Sequence, residues 1–189
     1  ALKHPTWKLG RKITIGSATL ANKGLEVIEA SFLFDFPPEN IEVTVHRQSV
    51  VHSMIRTQEG SVYAQMSPPD MSLPIMAAVS DTKLDLHNVV RPLSFKNLTL
   101  TFEEPNTERF PMLKHAYRVL SIGGSAPIAF NASDEVAVAA FIDGKIGFDD
   151  IAHIVGTTIE DPRFKTVSSS YEEIKEMDRL ARTIAEGLI

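Results

Sequence analysis

The chain has 189 residues, 43% of them hydrophobic and 23% charged, which is enough apolar material for a packed core without covalent staples. It contains no cysteine, so disulfides and thiolate metal sites are excluded, and a reducing cytosol or plastid stroma fits. The net charge of -5 argues against a general nucleic-acid binder, and no apolar run is long enough to span a membrane.

The first residues, Ala1-Leu2-Lys3-His4-Pro5, read as if entered within a loop, so residues are expected upstream. Residues 1–16 carry Pro5, Gly10 and Gly16 without sustained periodicity and read as loop, with a short strand at 12–15. A helix is expected over 18–34, with Ala21, Leu25, Ile28 and Phe32 on one side, ended by Asp35 and Pro37-Pro38. Residues 41–46 alternate and predict a strand. Residues 50–56 and 61–66 predict a hairpin turning at Glu59-Gly60, and a short helix starts near Ser72. From Ser80 to Asn106 the texture is that of a linker or arm, with a strand at 98–102.

Beyond it the pattern is helical. A helix over 111–122 stops at Gly123-Gly124, and Asn131 with Asp134 caps another running to Ile142. A third covers 149–159. Ser170 with Glu173 forms a capping box opening the last, whose stripe is Ile174, Met177, Ala181, Ile184 and Leu188. Four short helices with one apolar stripe each predict a small bundle.

One stretch can carry chemistry: Gly16-Ser17-Ala-Thr-Leu-Ala-Asn22-Lys23-Gly24-Leu25-Glu26. Ser17 stands where the helix N-terminus is expected, and free N–H groups with the helix dipole favour an anion there. Asn22, Lys23 and Glu26 project opposite Leu25, Ile28 and Phe32. A hydroxyl, an amide and an ammonium suit a phosphate monoester, and Gly24 leaves room for close approach. The plainer reading of the same spacing is an N-cap and a solvated Lys23–Glu26 pair worth about 0.3–0.5 kcal/mol. Trp7, the chain's single tryptophan, lies in a loop with His4 and suggests a lid over a ligand, or packing against a neighbouring domain. His46 and His52 flank a turn and read as structural. An unrelated hydrolase using His4 or His52 is disfavoured, because the chain has neither a nucleophile elbow nor cysteine.

Taken in order, His4-Pro-Thr-Trp7-Lys-Leu9-Gly10-Arg-Lys12, the Ser17 to Glu26 stretch, Gln48-Ser-Val-Val-His52-Ser-Met54, Glu59-Gly60-Ser-Val62, Pro69-Asp70-Met71 and Asn131-Ala-Ser-Asp134-Glu135-Val-Ala137 resemble the 1-deoxy-D-xylulose 5-phosphate reductoisomerase family. Each motif is modest alone; the ordered set is specific. The resemblance implies conversion of 1-deoxy-D-xylulose 5-phosphate to 2-C-methyl-D-erythritol 4-phosphate with NADPH and a divalent metal, magnesium or manganese.

It also implies that Ser17, Asn22 and Lys23 hold the substrate phosphate, and that His4 and Trp7 reach substrate from a lid loop. Glu26 becomes a metal ligand near the substrate hydroxyls, and Gly10 approaches the nicotinamide. Leu9 and Gly16 depart from the family, standing where a methionine is common and an acidic residue can occur. No G-x-G-x-x-G dinucleotide loop is present, and two further acidic metal ligands are expected upstream of Ala1, so the 189 residues alone are expected to be inactive.

The fold expected by the same resemblance is an α/β (α+β) catalytic domain with a small mixed sheet at 1–80, a linker at 81–106 and an all-α helical bundle at 107–189. A homodimer through the sheet is expected, with no nucleic-acid or membrane partner, in a bacterial cytoplasm or plastid stroma. The competing reading is a phosphate-binding or dimerisation module without chemistry of its own.

Overall fold

The computed structural model describes residues 10–80 and 91–189. They form seven α-helices and one two-stranded sheet, arranged as two compact units. The larger unit comprises the described residues up to Val43 together with Asn106–Ile189, and the smaller is Thr44–Pro105.

The larger unit contains α1 (Arg11–Thr19), α2 (Ala21–Phe34), α4 (Met112–Ile122), α5 (Ala126–Ile142), α6 (Phe148–Ile159) and α7 (Tyr171–Glu186). Helix α5 is its axis. It packs against α1, α2, α4, α6 and α7, and it buries residues on most of its circumference, among them Ala129, Phe130, Ala132, Ser133, Ala137 and Val138. A helix apolar nearly all round belongs in the middle of a bundle, and its alanines let neighbouring helices approach closely. One apolar cluster gathers Met112, Phe130, Val155 and Phe164, and the other gathers Ile15, Val138, Ile151 and Ile154. Loss of a buried phenylalanine such as Phe130 to alanine would cost about 3–5 kcal/mol.

Several expectations need correction here. Residues 12–15 are helical, not a strand, because Ile15 points into the second apolar cluster while Thr14 bonds back to the Gly10 carbonyl. The single helix expected over 18–34 is two helices, broken at Leu20, whose φ of 66° is left-handed. Phe32 is exposed, so the apolar stripe of α2 buries Ala21, Gly24, Val27 and Ile28 and then runs out. Helix α5 starts at Ala126, with Pro127 in its first turn, and Asn131 is an exposed mid-helix residue.

The other signals of the bundle hold. Helix α4 ends at Gly123, and Gly123 and Gly124 both have positive φ. A Cβ on Gly124 would lie 2.5 Å from the Lys165 carbonyl oxygen. Ser170 Oγ accepts from Glu173 N, and Glu173 Oε2 accepts from Ser170 N, both at 3.2 Å, closing the capping box of α7. Of the α7 stripe, Ala181 is fully buried and Ile174 and Leu188 at its ends are exposed.

The smaller unit holds β1 (Val51–Arg56), β2 (Val62–Met66) and α3 (Ser72–Val79). The strands pair antiparallel from Val51↔Met66 to Arg56↔Val62, with a bulge between Val51 and Ser53, and Gly60 at φ 87° makes the turn. Among the described residues this pair is the whole sheet, antiparallel and not mixed. Of the strands expected at 41–46 and 98–102, the described residues show one isolated bridge, Val45↔Glu103. Side chains reinforce that bridge: His46 Nδ1 lies 2.9 Å from the Thr101 carbonyl oxygen, and Arg47 Nε donates to Glu103 at 2.8 Å.

Candidate functional site

The break at Leu20 shapes the stretch singled out by sequence. In one continuous helix, residues 17 and 22 would lie about 140° apart around the axis. With the axis interrupted, Asn22 Nδ2 donates to Ser17 Oγ and to the Ile13 carbonyl, each at 3.3 Å. Ser17 is therefore not at a helix start. It sits in the last turn of α1, its carbonyl accepting from Leu20 N. The helix start that can face an anion is that of α2, which begins at Ala21 without a side-chain cap. Ala21 N is taken by Thr19 Oγ1, which leaves the next first-turn N–H groups, those of Asn22 and Lys23, without intrahelical acceptors.

Lys23 and Glu26 form an ion pair one turn apart on α2, with side chains 40% and 58% exposed. A pair this open adds well under about 1 kcal/mol to stability, so both ends are available to a ligand at little structural cost. The structure thus brings Ser17 to Asn22 and Lys23 to Glu26. Gly10, exposed at the N-cap of α1, has nothing among the described residues within 4 Å of where a Cβ would stand. His4 and Trp7 lie outside the described residues. Gly24 makes the close approach expected of it, and the groups approaching are those of the bundle. A Cβ there would lie 2.9 Å from Ala116 Cβ and 3.2 Å from Phe130 Cζ. Helix α2, which carries Asn22, Lys23 and Glu26, is seated directly on α4 and α5.

Sequence reasoning missed the polar network that fixes α1. Lys12 Nζ donates to Glu135 Oε1 at 2.5 Å, and Arg182 bridges Glu135 at 2.7 Å and Asp178 at 2.8 Å. The two cations hold the Glu135 carboxyl below its usual range. Next to it, Asp134 is 7% exposed and its Oδ1 has no hydrogen-bond partner among the described residues. Burial raises its pKa to about 7, against the attraction of Lys12 and with a smaller push from Glu135. The i, i+4 spacing of Asp178 and Arg182 was the one signal of this network present in the sequence.

A divalent cation is held commonly by one or two carboxylates plus substrate oxygens and water, and Glu26 fits as one such donor. Among the described residues no group of three histidine, aspartate or glutamate side chains is placed to hold a metal, so Glu26 alone would be only part of a ligand set.

Comparison with known proteins gives the site its context. Residues 66–184 match the family model described as the DXP reductoisomerase C-terminal domain, and residues 1–34 match the 1-deoxy-D-xylulose 5-phosphate reductoisomerase C-terminal domain. A 1-deoxy-D-xylulose 5-phosphate reductoisomerase of Treponema denticola is 51% identical over 186 residues, covering 98% of this chain and 48% of that protein. A crystal structure of DOX-P reductoisomerase in complex with NADPH, fosmidomycin and magnesium superposes with a TM-score of 0.90 at 39% identity, over 100% of this chain and 48% of that one. The enzyme from Zymomonas mobilis in complex with NADPH gives 0.85 at 44% identity, over 94% and 47%. The chain spans about half the length of the relatives it matches. From the paired motifs around Leu20 to the α5 bundle, the chain belongs to the 1-deoxy-D-xylulose 5-phosphate reductoisomerase family.

Proposed function

We infer that this chain supplies the phosphate-binding corner and one metal-binding carboxylate of a reductoisomerase that converts 1-deoxy-D-xylulose 5-phosphate to 2-C-methyl-D-erythritol 4-phosphate with NADPH. The observation that carries the reading is the break at Leu20, which sets the Ser17 hydroxyl beside Asn22 and opens the N-terminus of α2 at Asn22 and Lys23. Ser17 donates a hydrogen bond to a phosphate oxygen, the first-turn N–H groups of α2 face the anion, and Lys23 balances its charge. Binding the phosphate fixes the far end of the substrate and so orients its carbonyl and hydroxyls, which is where much of the rate of a rearrangement is gained.

Glu26, one turn further along α2, is the protein's donor to a magnesium or manganese ion. When bound, that ion polarises the substrate carbonyl and stabilises developing negative charge. Its fit here rests on the exposed, singly paired Glu26 carboxylate. His4 and Trp7 are assigned to the lid that excludes water, and the open space at Gly10 suits approach by the nicotinamide.

The expected α/β catalytic domain and homodimer belong to the same reading. The hairpin supports the dimer, since Met54, Ile55, Val62 and Tyr63 are all exposed on it. A bacterial cytoplasm is the corresponding compartment; no described helix is long and apolar enough to cross a membrane.

Steady-state kinetics across a metal titration test the reading. Lys23→Ala should raise the KM for 1-deoxy-D-xylulose 5-phosphate roughly ten- to a hundredfold, the value of a lost charge-assisted hydrogen bond. Glu26→Gln should instead collapse kcat, with only partial recovery at high metal. Near-normal kinetics in both variants would leave the pair as surface decoration and return the chain to a binding or dimerisation module.

A further inference from the structure

Helix α2 buries Ala21, Gly24, Val27 and Ile28, which are three or four apart and so share one face. Asn22, Lys23 and Glu26 lie off that face. Gly24 stands in the helix interior, where glycine is a poor helix former, and its φ is not left-handed, so no turn requires it. What its bare Cα supplies is room for α4. A Cβ on Gly24 would fall 2.9 Å from Ala116 Cβ, 3.2 Å from Phe130 Cζ and 3.5 Å from the Met112 carbonyl oxygen. Carbon atoms rest about 3.5–4.0 Å apart, so the first of these contacts is too close by about 0.6–1 Å. Ala116 Cβ has no torsion by which to withdraw. It is fixed to the backbone of α4, and Ala116 and Phe130 are both fully buried. An added methyl therefore pushes α2 and α4 apart.

Helices α1 and α2 reach the bundle by separate contacts. Ile15 of α1 enters the cluster of Val138, Ile151 and Ile154, and Lys12 is tied to Glu135 on α5. Ala21 and Ile28 of α2 enter the other cluster, with Met112, Ala116 and Phe130. Ser17 is carried by α1, whereas Asn22, Lys23 and Glu26 are carried by α2. The depth at which α2 rests on α4 thus sets how far Asn22 and Lys23 stand from Ser17. At the observed depth, Asn22 Nδ2 reaches Ser17 Oγ at 3.3 Å.

We propose that Gly24 is a positioning residue for the reaction assigned above. Its missing side chain lets α2 settle on Ala116 at the depth that brings Asn22 and Lys23 to Ser17 and aims Glu26. Through that contact α4 helps to form the phosphate corner without touching a ligand. The proposal rests on the phosphate-site reading and adds to it the interface that sets the site's spacing.

The test exchanges one methyl across the interface in the enzyme containing this chain, with Gly24→Ala, Ala116→Gly and the pair. The readouts are KM and kcat for 1-deoxy-D-xylulose 5-phosphate, the inhibition constant of inorganic phosphate, and the thermal unfolding temperature, with kinetics taken well below it. Gly24→Ala should raise KM and the phosphate constant roughly tenfold and lower kcat about as much, the effect of moving binding groups by somewhat less than about 1 Å. In the pair, the new methyl occupies the space left by Ala116 and the Phe130 ring tilts slightly. KM and the phosphate constant should then return to within about threefold of the parent. A merely structural Gly24 would lower the unfolding temperature and leave KM and the phosphate constant of the folded enzyme unchanged, and that result overturns the proposal. So does a pair that recovers less than about threefold of the loss.

Lys23→Ala separates the two layers. If it weakens phosphate binding while Gly24→Ala does not, the site stands and the positioning role falls. If it leaves KM and the phosphate constant unchanged, the phosphate-site reading and the proposal fall together. Should Gly24→Ala fail to fold, recovery of folding and of KM in the Gly24→Ala/Ala116→Gly protein supports the contact, and failure to recover overturns it.

Discussion

Replacing Asp134 by asparagine tests the electrostatics of the bundle beside α1. The carboxyl is 7% exposed, with Oδ1 unpartnered among the described residues, and its pKa is raised from 3.8 to about 7. The cation that attracts it, Lys12, is engaged by Glu135, which also binds Arg182. An acid whose pKa is raised on folding holds its proton more tightly in the native state. Stability from this group is therefore intact below the unfolded pKa, near 3.8, and is lost as pH rises through about 7.

At 1.36 kcal/mol per pKa unit, the group costs about 1.7 kcal/mol by about pH 5 and about 4 kcal/mol by about pH 8. Asparagine removes the titration. Its extra N–H groups add a penalty that does not vary with pH, so the informative quantity is the difference between the two conditions. Urea unfolding followed by far-ultraviolet circular dichroism should show Asp134→Asn gaining about 2.5 kcal/mol on the parent between about pH 5 and about pH 8. A variant-minus-parent difference that is flat across that window would refute the buried, unpaired carboxyl as the source of the pH dependence.

Two further substitutions probe the frame of the bundle by thermal or urea unfolding. Gly124→Ala should cost more than about 2 kcal/mol, because it puts a Cβ against the Lys165 carbonyl at a positive φ. A loss below about 1 kcal/mol would mean that the 162–165 turn yields easily. Ser170→Ala should cost about 1 kcal/mol by opening the α7 capping box, and Ser170→Asp should restore most of it.

Much of the bundle was legible because its signals are local. Gly123-Gly124 and the Ser170–Glu173 box mark helix ends by rules that need no tertiary partner, and the structure follows both. Residues 12–15 and the break at Leu20 were not legible. Their conformation is set by Ile15 entering a cluster with Val138 and Ile151, far along the chain, and by a leucine in a left-handed conformation that no propensity favours. The start of α5 was misplaced because Asn131 and Asp134 mimic a cap, while Ser125, the true boundary, spends its hydroxyl on the Thr166 carbonyl. At the site, the residue types of 17–26 suggested an anion, and the family resemblance supplied their roles. That Ser17 and Asn22 touch depends on the helix break, so one-dimensional spacing could not show it. Asp134, read from the sequence as the partner of an Asn131 cap, is buried instead, and its burial is made by other helices.

The larger unit is assembled from two separate segments, one before Thr44 and one after Pro105, and Lys12 meets Glu135 across 123 residues of sequence. That ordering has a cost during synthesis on the ribosome. The apolar face of α2, with Val27 and Ile28, is made well before α4 and α5, which cover it. At about 5–20 residues per second, the roughly 100 intervening residues leave that face bare for about 5–20 seconds. Throughout that interval the nascent chain offers a chaperone-sized target, and any premature stop within Thr44–Pro105 leaves α1 and α2 without the α4 and α5 helices they pack on.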